Sequence, residues 1–202
     1  MTAPKPLHNV EFEPVSLAEA QLHLRLDVAG SPPSHPDDAI VEALIVAARE
    51  YAEYYTSQAF ARQSYALSLK EFPQDQEIDL GIWPVLSVDS VTYLDEDGQA
   101  QALNPDLYFI DNQSKPARIV GKFQARWPTA LDQANSIQIV FKAGCTDGSP
   151  NDYPVPKSVK QAILLTLGHL YENRETVTGA QKYQLPMGAE SLLQIHRIAM
   201  GM

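Results

Sequence analysis

Apolar residues recur every three to four positions toward both ends of this chain and every second position through its middle. The first period belongs to helices and the second to half-buried strands, so the middle must fold differently from its flanks. Near the start, Ser16-Leu17-Ala18-Glu19 is a capping box: the Ser16 hydroxyl accepts from the Glu19 amide while Glu19 reaches back to the Ser16 amide. A helix is predicted over about 16–27. The prolines of AGSPPSHP (Ala29 to Pro36) then break it. Asp37 or Asp38 opens a second helix, about 38–57, roughly 28 Å long at 1.5 Å per residue. Its apolar face reads as Ile40, Ala43, Leu44, Ala47, Ala48, Tyr51 and Tyr55, with Glu42, Arg49, Glu50 and Glu53 on the rest.

The middle, about 61–145, alternates. Tyr65, Leu67 and Leu69 interleave with polar or small residues, and further strands are predicted at Ile78–Leu80, Val85–Leu94, Ala100–Leu103, Tyr108–Ile110, Arg118–Val120 and Ser136–Ala143. Asp97-Gly98 between two such runs signals a hairpin turn. The short connections read as those of a meander. Helical period resumes over about 156–175 through Val159, Ile163, Leu167, Leu170 and Tyr171, and again over about 189–199. Each terminal helix needs a partner for its apolar face, and the simplest solution packs the two ends of the chain together. The expected fold class is α+β: mainly an α-helical bundle built from the N- and C-terminal segments, with a small antiparallel β region inserted, as one domain over 1–202.

Composition narrows function. A formal net charge of −10, with 15 basic residues scattered among 25 acidic ones, disfavours tight nucleic-acid binding. The longest apolar stretch, around Ala162 to Leu170, is far short of the roughly 20 residues that cross a bilayer. The opening MTAPKPLHNVEFEP does not read as a signal peptide. The single cysteine, Cys145, permits no internal disulfide, as in a protein made in a reducing compartment.

No catalytic constellation is complete. Cys145 lies between glycines, but the nearest histidine in sequence, His169, falls in a helix with nothing to bring the two together. His169 and Glu172 share a helix face, with His196 as the only further candidate ligand, and a zinc or di-iron site needs more than that. Asp95-Glu96-Asp97-Gly98 only echoes a calcium loop. The expectation is no enzyme, no cofactor and no metal. Tyr51, Tyr54 and Tyr55 cluster at the end of the second helix. Tyr54, on the flank of the apolar face, is the one expected to meet a neighbouring subunit.

With these elements in place, the sequence resembles tailed-phage head–tail connector proteins, also called adaptor or head-completion proteins, whose relatives occur in prophages and gene transfer agents. The resemblance runs in order through PVSLAEAQLHLRLD (Pro14 to Asp27), DDAIVEALIVAAREYAEYYTSQAF (Asp37 to Phe60), PVLSVDSVTYLDEDG (Pro84 to Gly98), PARIV (Pro116 to Val120), IQIVFKAG (Ile137 to Gly144), VPKSVKQAILLTLGHLYENRE (Val155 to Glu175) and LPMGAESLL (Leu185 to Leu193). It implies a structural subunit of the virion neck, made in the host bacterial cytoplasm. Generally twelve copies form a ring under the portal protein, extending the DNA channel without binding DNA specifically and offering a platform to a stopper or tail protein. It also implies that the C-terminal segment engages the portal, here through Leu192, Leu193, Ile195, Ile198 and Met200. It carries no catalytic residues. Competing readings are another ring-forming neck protein (a stopper or tail terminator), a small metal-dependent enzyme using His169, Glu172 and His196, and a peptide-binding module using an exposed strand.

Overall fold

The computed structural model describes residues 3–7, 10–31, 33–146, 153–173 and 187–198. Its contacts divide the chain into two compact units. One comprises residues 1–12, 61–145 and 200–202, and the other residues 13–60 and 146–199.

Among its described residues the first unit is all β apart from a short 3-10 turn, Pro105–Leu107, opened by the Asn104 side chain. Eight strands form it: β1 (Lys5–Pro6), β2 (Gln63–Leu69), β3 (Glu77–Asp79), β4 (Val85–Leu94), β5 (Ala100–Ala102), β6 (Tyr108–Asp111), β7 (Arg118–Gly121) and β8 (Ile137–Ala143). They make a five-stranded sheet in the order β1-β2-β8-β4-β5 and a three-stranded sheet in the order β3-β7-β6, with every pairing antiparallel. The pairing departs from a meander, because β8 inserts between β2 and β4. Residues Ile137, Ile139, Phe141 and Ala143 of β8 are buried while Gln138 is exposed, the alternation of a strand with one covered face. Tyr65 stacks on Phe141 at 5.8 Å between ring centroids. At the other end of the sheet, Phe72 stacks on Trp127 and meets Tyr93 edge-on. Ile78, Leu80, Ala117 and Ile119 fill the interior beneath the small sheet.

The β4–β5 hairpin closes at Asp95-Glu96-Asp97-Gly98, with the Gly98 amide donating to the Asp95 carbonyl and Gly98 at φ +76°. Gly144, just past β8, sits at φ +126° and donates its amide to the Pro84 carbonyl. A side chain there would overlap the Ala61 backbone. Only glycine fits.

The second unit is helical: α1 (Leu17–Leu24), α2 (Asp38–Thr56), α3 (Lys157–Glu172) and α4 (Met187–Gln194). The capping box of α1 is formed in both directions. Glu19 also receives Lys160 of α3 at 2.7 Å, which joins the start of the unit to its later half. Gln21 is buried and donates to Asp38 at the start of α2. Val41, Ile45, Ala48 and Ala52 of α2 and Val159, Ala162, Ile163 and Leu167 of α3 make the core, which Ala189 and Leu193 of α4 complete.

Two expectations need correction. The molecule is not a mainly α-helical bundle. Among the described residues it is mixed, about 31% helical and 27% strand, with two antiparallel sheets. The middle segments pair with one another over enough length to enclose a core of their own. The buried face of α2 is also rotated from the one read off the sequence: Ile40, Ala43 and Ala47 are exposed, and Val41, Ile45, Ala48 and Arg49 point inward. The helix is apolar around most of its girth, so periodicity alone admits either orientation.

Arg49 marks the difference. Assigned by pattern to the solvent face, it is 3% exposed and bridges Glu13 at 3.1 Å and Glu53 at 2.7 Å. Glu53 in turn accepts from the Phe60 amide. Burial opposes the charge of Arg49, but Glu53 and Glu13 outweigh it and hold the guanidinium above its ordinary pKa. Burial dominates at Glu13, pushing its carboxyl up against the pull of Arg49.

Candidate functional site

Residues 187–198 and the end of α2 carry most of the residues singled out for partner contact, and both lie in the helical unit. Tyr51 and Tyr55 stand one turn apart on α2, as do Glu190 and Gln194 on α4. The two spacings match: the Tyr51 hydroxyl donates to Glu190 at 3.3 Å and the Tyr55 hydroxyl to Gln194 at 2.8 Å. Burial and the neighbouring Glu190 carboxylate push the Tyr51 phenol up. Beyond α4, the Ile198 amide donates to the Thr56 carbonyl at 2.9 Å, and the Gln58 side chain donates to the His196 carbonyl. His196 meets the Ser158 hydroxyl of α3 at 2.7 Å, and Arg197 lies over the Tyr55 ring. From α4 to Ile198 the chain is thus docked against α2 and α3.

This docking sorts the expected contact residues. Leu193 and Ile198 are buried within the unit and Leu192 is half-buried, whereas Ile195 is 74% exposed. Met200 lies outside the described residues. Tyr54 is 87% exposed, whereas Tyr51 and Tyr55 pack ring against ring. The polar partners of α4 were missed in the sequence, although the shared four-residue spacing of Tyr51/Tyr55 and Glu190/Gln194 was there to find.

The chemical candidates stay apart. Cys145 is buried at the end of β8. His169 packs with Asn173 one turn on, while His196 faces Ser158. Among the described residues no group of three or more His, Cys, Asp or Glu side chains is placed to hold a metal ion. No helix among them is long and apolar enough to cross a membrane.

The whole path of the chain, helices and sheets together, recurs in solved structures. A chain in the neck of an empty gene transfer agent particle, computed with C6 symmetry, superposes with a TM-score of 0.78 at 21% identity, covering 98% of this chain and 97% of that one. The two chains share one fold. A chain from the virion of a native gene transfer agent particle gives 0.76 at 21% identity, and one from the neck of a native particle computed with C12 symmetry gives 0.74 at 20%, each with the same coverage. No protein-family model and no curated protein matches the chain. The likeness includes the β unit as well as the helices, so the mixed architecture is shared with these chains.

Proposed function

We propose that this chain is a structural subunit of the neck of a tailed-phage-like particle, an adaptor repeated in a ring beneath the portal. In this role it extends the DNA channel and carries the next neck or tail component. The observation that supports the reading best is coverage: 98% of this chain and 97% of the neck chain align at a TM-score of 0.78. The acidic balance fits a channel wall that repels passing DNA. A ring needs two different surfaces on each subunit, because its contacts are head-to-tail.

Within this reading the portal contact centres on Ile195, flanked by Leu192. Leu193 and Ile198 hold the segment in place from inside. The test is to mix the chain with the portal ring of the same particle and determine mass and negative-stain projections. One chain per portal subunit, lengthening the portal channel, is the expected result, and Ile195→Glu should weaken that complex at least about tenfold by placing a charge in an apolar contact. No complex with a correctly folded portal in excess would remove the adaptor role and leave the stopper or tail-terminator role to be tried against tail tubes.

A further inference from the structure

Ile195 stands where α4 gives out, yet its neighbours are anchored. Past the helix the His196 amide donates to the Leu193 carbonyl and the Arg197 amide to the Gln194 carbonyl. Bonds of this three-residue span turn the chain tightly. His196 reaches Ser158 of α3, the guanidinium carbon of Arg197 lies 5.6 Å from the centre of the Tyr55 ring, and Ile198 is buried. Ile195 is left exposed between these fixed points. An apolar group held in solvent adds nothing to the core. Being ordered already, it spares the entropy of ordering on binding.

Its surroundings are cationic. Arg197 and Lys157 are both exposed, and each is next in the chain to one member of the His196–Ser158 contact. Among the described residues neither makes an ion pair, whereas Arg49, Arg62, Lys70, Arg118, Lys142 and Lys160 each meet a carboxylate. With 25 acidic residues against 15 basic ones, an acid is the commoner neighbour for a cation of this chain. Here the local acids are missing or taken. The first turn of α3 holds none, and Glu190 of α4 accepts from the Tyr51 hydroxyl.

Contact with a ring uses none of the N–H donors of a guanidinium, so Arg197 keeps its planar fork for a carboxylate. Two cations are few beside the roughly six to ten phosphate contacts of a DNA binder, and a phosphate offers nothing to Ile195. We infer that the portal surface receiving Ile195 is an apolar recess bordered by a carboxylate. Arg197 pairs with that carboxylate, and Lys157 adds to the local positive field. The inference rests on the adaptor reading above and names the chemistry of its portal contact.

The test titrates the full-length chain onto the portal ring at low and at high salt. Binding of the native chain should weaken as salt rises. At low salt Arg197→Glu should weaken it at least about tenfold, Arg197→Gln about threefold with a flatter salt dependence, and Lys157→Glu about twofold. Arg197→Lys should lose less than Arg197→Gln. Thermal unfolding at 222 nm checks that loss of the Tyr55 contact leaves the helices folded. If Arg197→Glu does not fold, Arg197→Gln and Lys157→Glu decide, and native affinity and salt dependence in both would overturn the inference. A folded Arg197→Glu that binds as well as the native chain, or better, while Ile195→Glu binds poorly, would overturn the carboxylate and leave the adaptor role standing. A labelled DNA duplex that binds the native chain and not Arg197→Glu would overturn it in favour of phosphate. No complex between the native chain and a folded portal would remove both this inference and the adaptor role.

Discussion

The two units are held by different means. In the β unit the large buried side chains are aliphatic or aromatic, and its ion pairs, such as Lys142–Glu11 and Arg118–Glu77, lie at the surface. Surface pairs of this kind contribute little. The helical unit has a thinner apolar core, rich in alanine, and places a buried arginine between two carboxylates and a row of polar side chains along α4. The lesson is one of vulnerability. The sheet depends on backbone geometry and packing, whereas the helices depend on a few polar groups whose partners lie far away in sequence.

Each unit carries its own reporter. Both tryptophans, Trp83 and Trp127, lie in the β unit, while the four helices dominate the ellipticity at 222 nm. Recording both signals during urea unfolding shows whether a substitution strikes one unit or both, since coincident transitions mark a single cooperative step.

The largest effect is expected from Gly144→Ala, which combines a positive φ with overlap against the Ala61 backbone and should cost more than about 4 kcal/mol. The tryptophan transition should move most. A shift of less than about 1 kcal/mol would mean that the backbone at Ala61 gives way and that the sheet is softer than its packing implies. Next comes Arg49→Ala, which strands Glu13 and Glu53 and should cost about 3–5 kcal/mol, read in the 222 nm signal. Arg49→Met combined with Glu13→Gln and Glu53→Gln should recover much of that loss, because the stranded charges are gone. If the triple variant is as unstable as Arg49→Ala, the cluster acts through its hydrogen bonds and shape more than its charges.

The smallest effect concerns the cap of α1. Ser16→Ala should cost about 1 kcal/mol. The hydrogen bond from Lys160, then that from the Ser16 amide, hold the Glu19 carboxyl below its ordinary value of 4.5. A depressed carboxylate favours the fold in its ionised form. Its contribution is therefore complete above 4.5 and lost as pH falls through the lower, folded-state value. Glu19→Gln should flatten that part of the acid profile of the helical unit while leaving the tryptophan profile unchanged. An equal change in both profiles would show that the two units respond as one.

What was legible in the sequence follows the same division between local and distant causes. The capping box at Ser16, the Asp-Gly turn at Gly98 and the alternation of β8 are set by residues within a few positions of one another, and all three are present. The insertion of β8 between β2 and β4 was not legible, because strand order depends on pairing across some 70 residues of chain. Nor was β1, a two-residue strand containing a proline. The orientation of α2 was hidden by its apolar girth, and Arg49 was misplaced because nothing local announces that Glu13 will reach it. At the candidate site, the spacing identified Tyr54 as lying off the inner face. It could not separate buried Leu193 and Ile198 from exposed Ile195, since all three are apolar and only the docking of α4 tells them apart.

The edges of the larger sheet have a bearing on how such a chain survives at high concentration. One border is Lys5–Pro6, too short to template another strand and missing an amide donor at the proline, and the other is the three-residue strand Ala100–Ala102. Blunt borders of this kind deny neighbouring molecules the open backbone ladder from which fibrils grow. A crowded pool of these molecules is thereby steered away from endless stacking through its sheets.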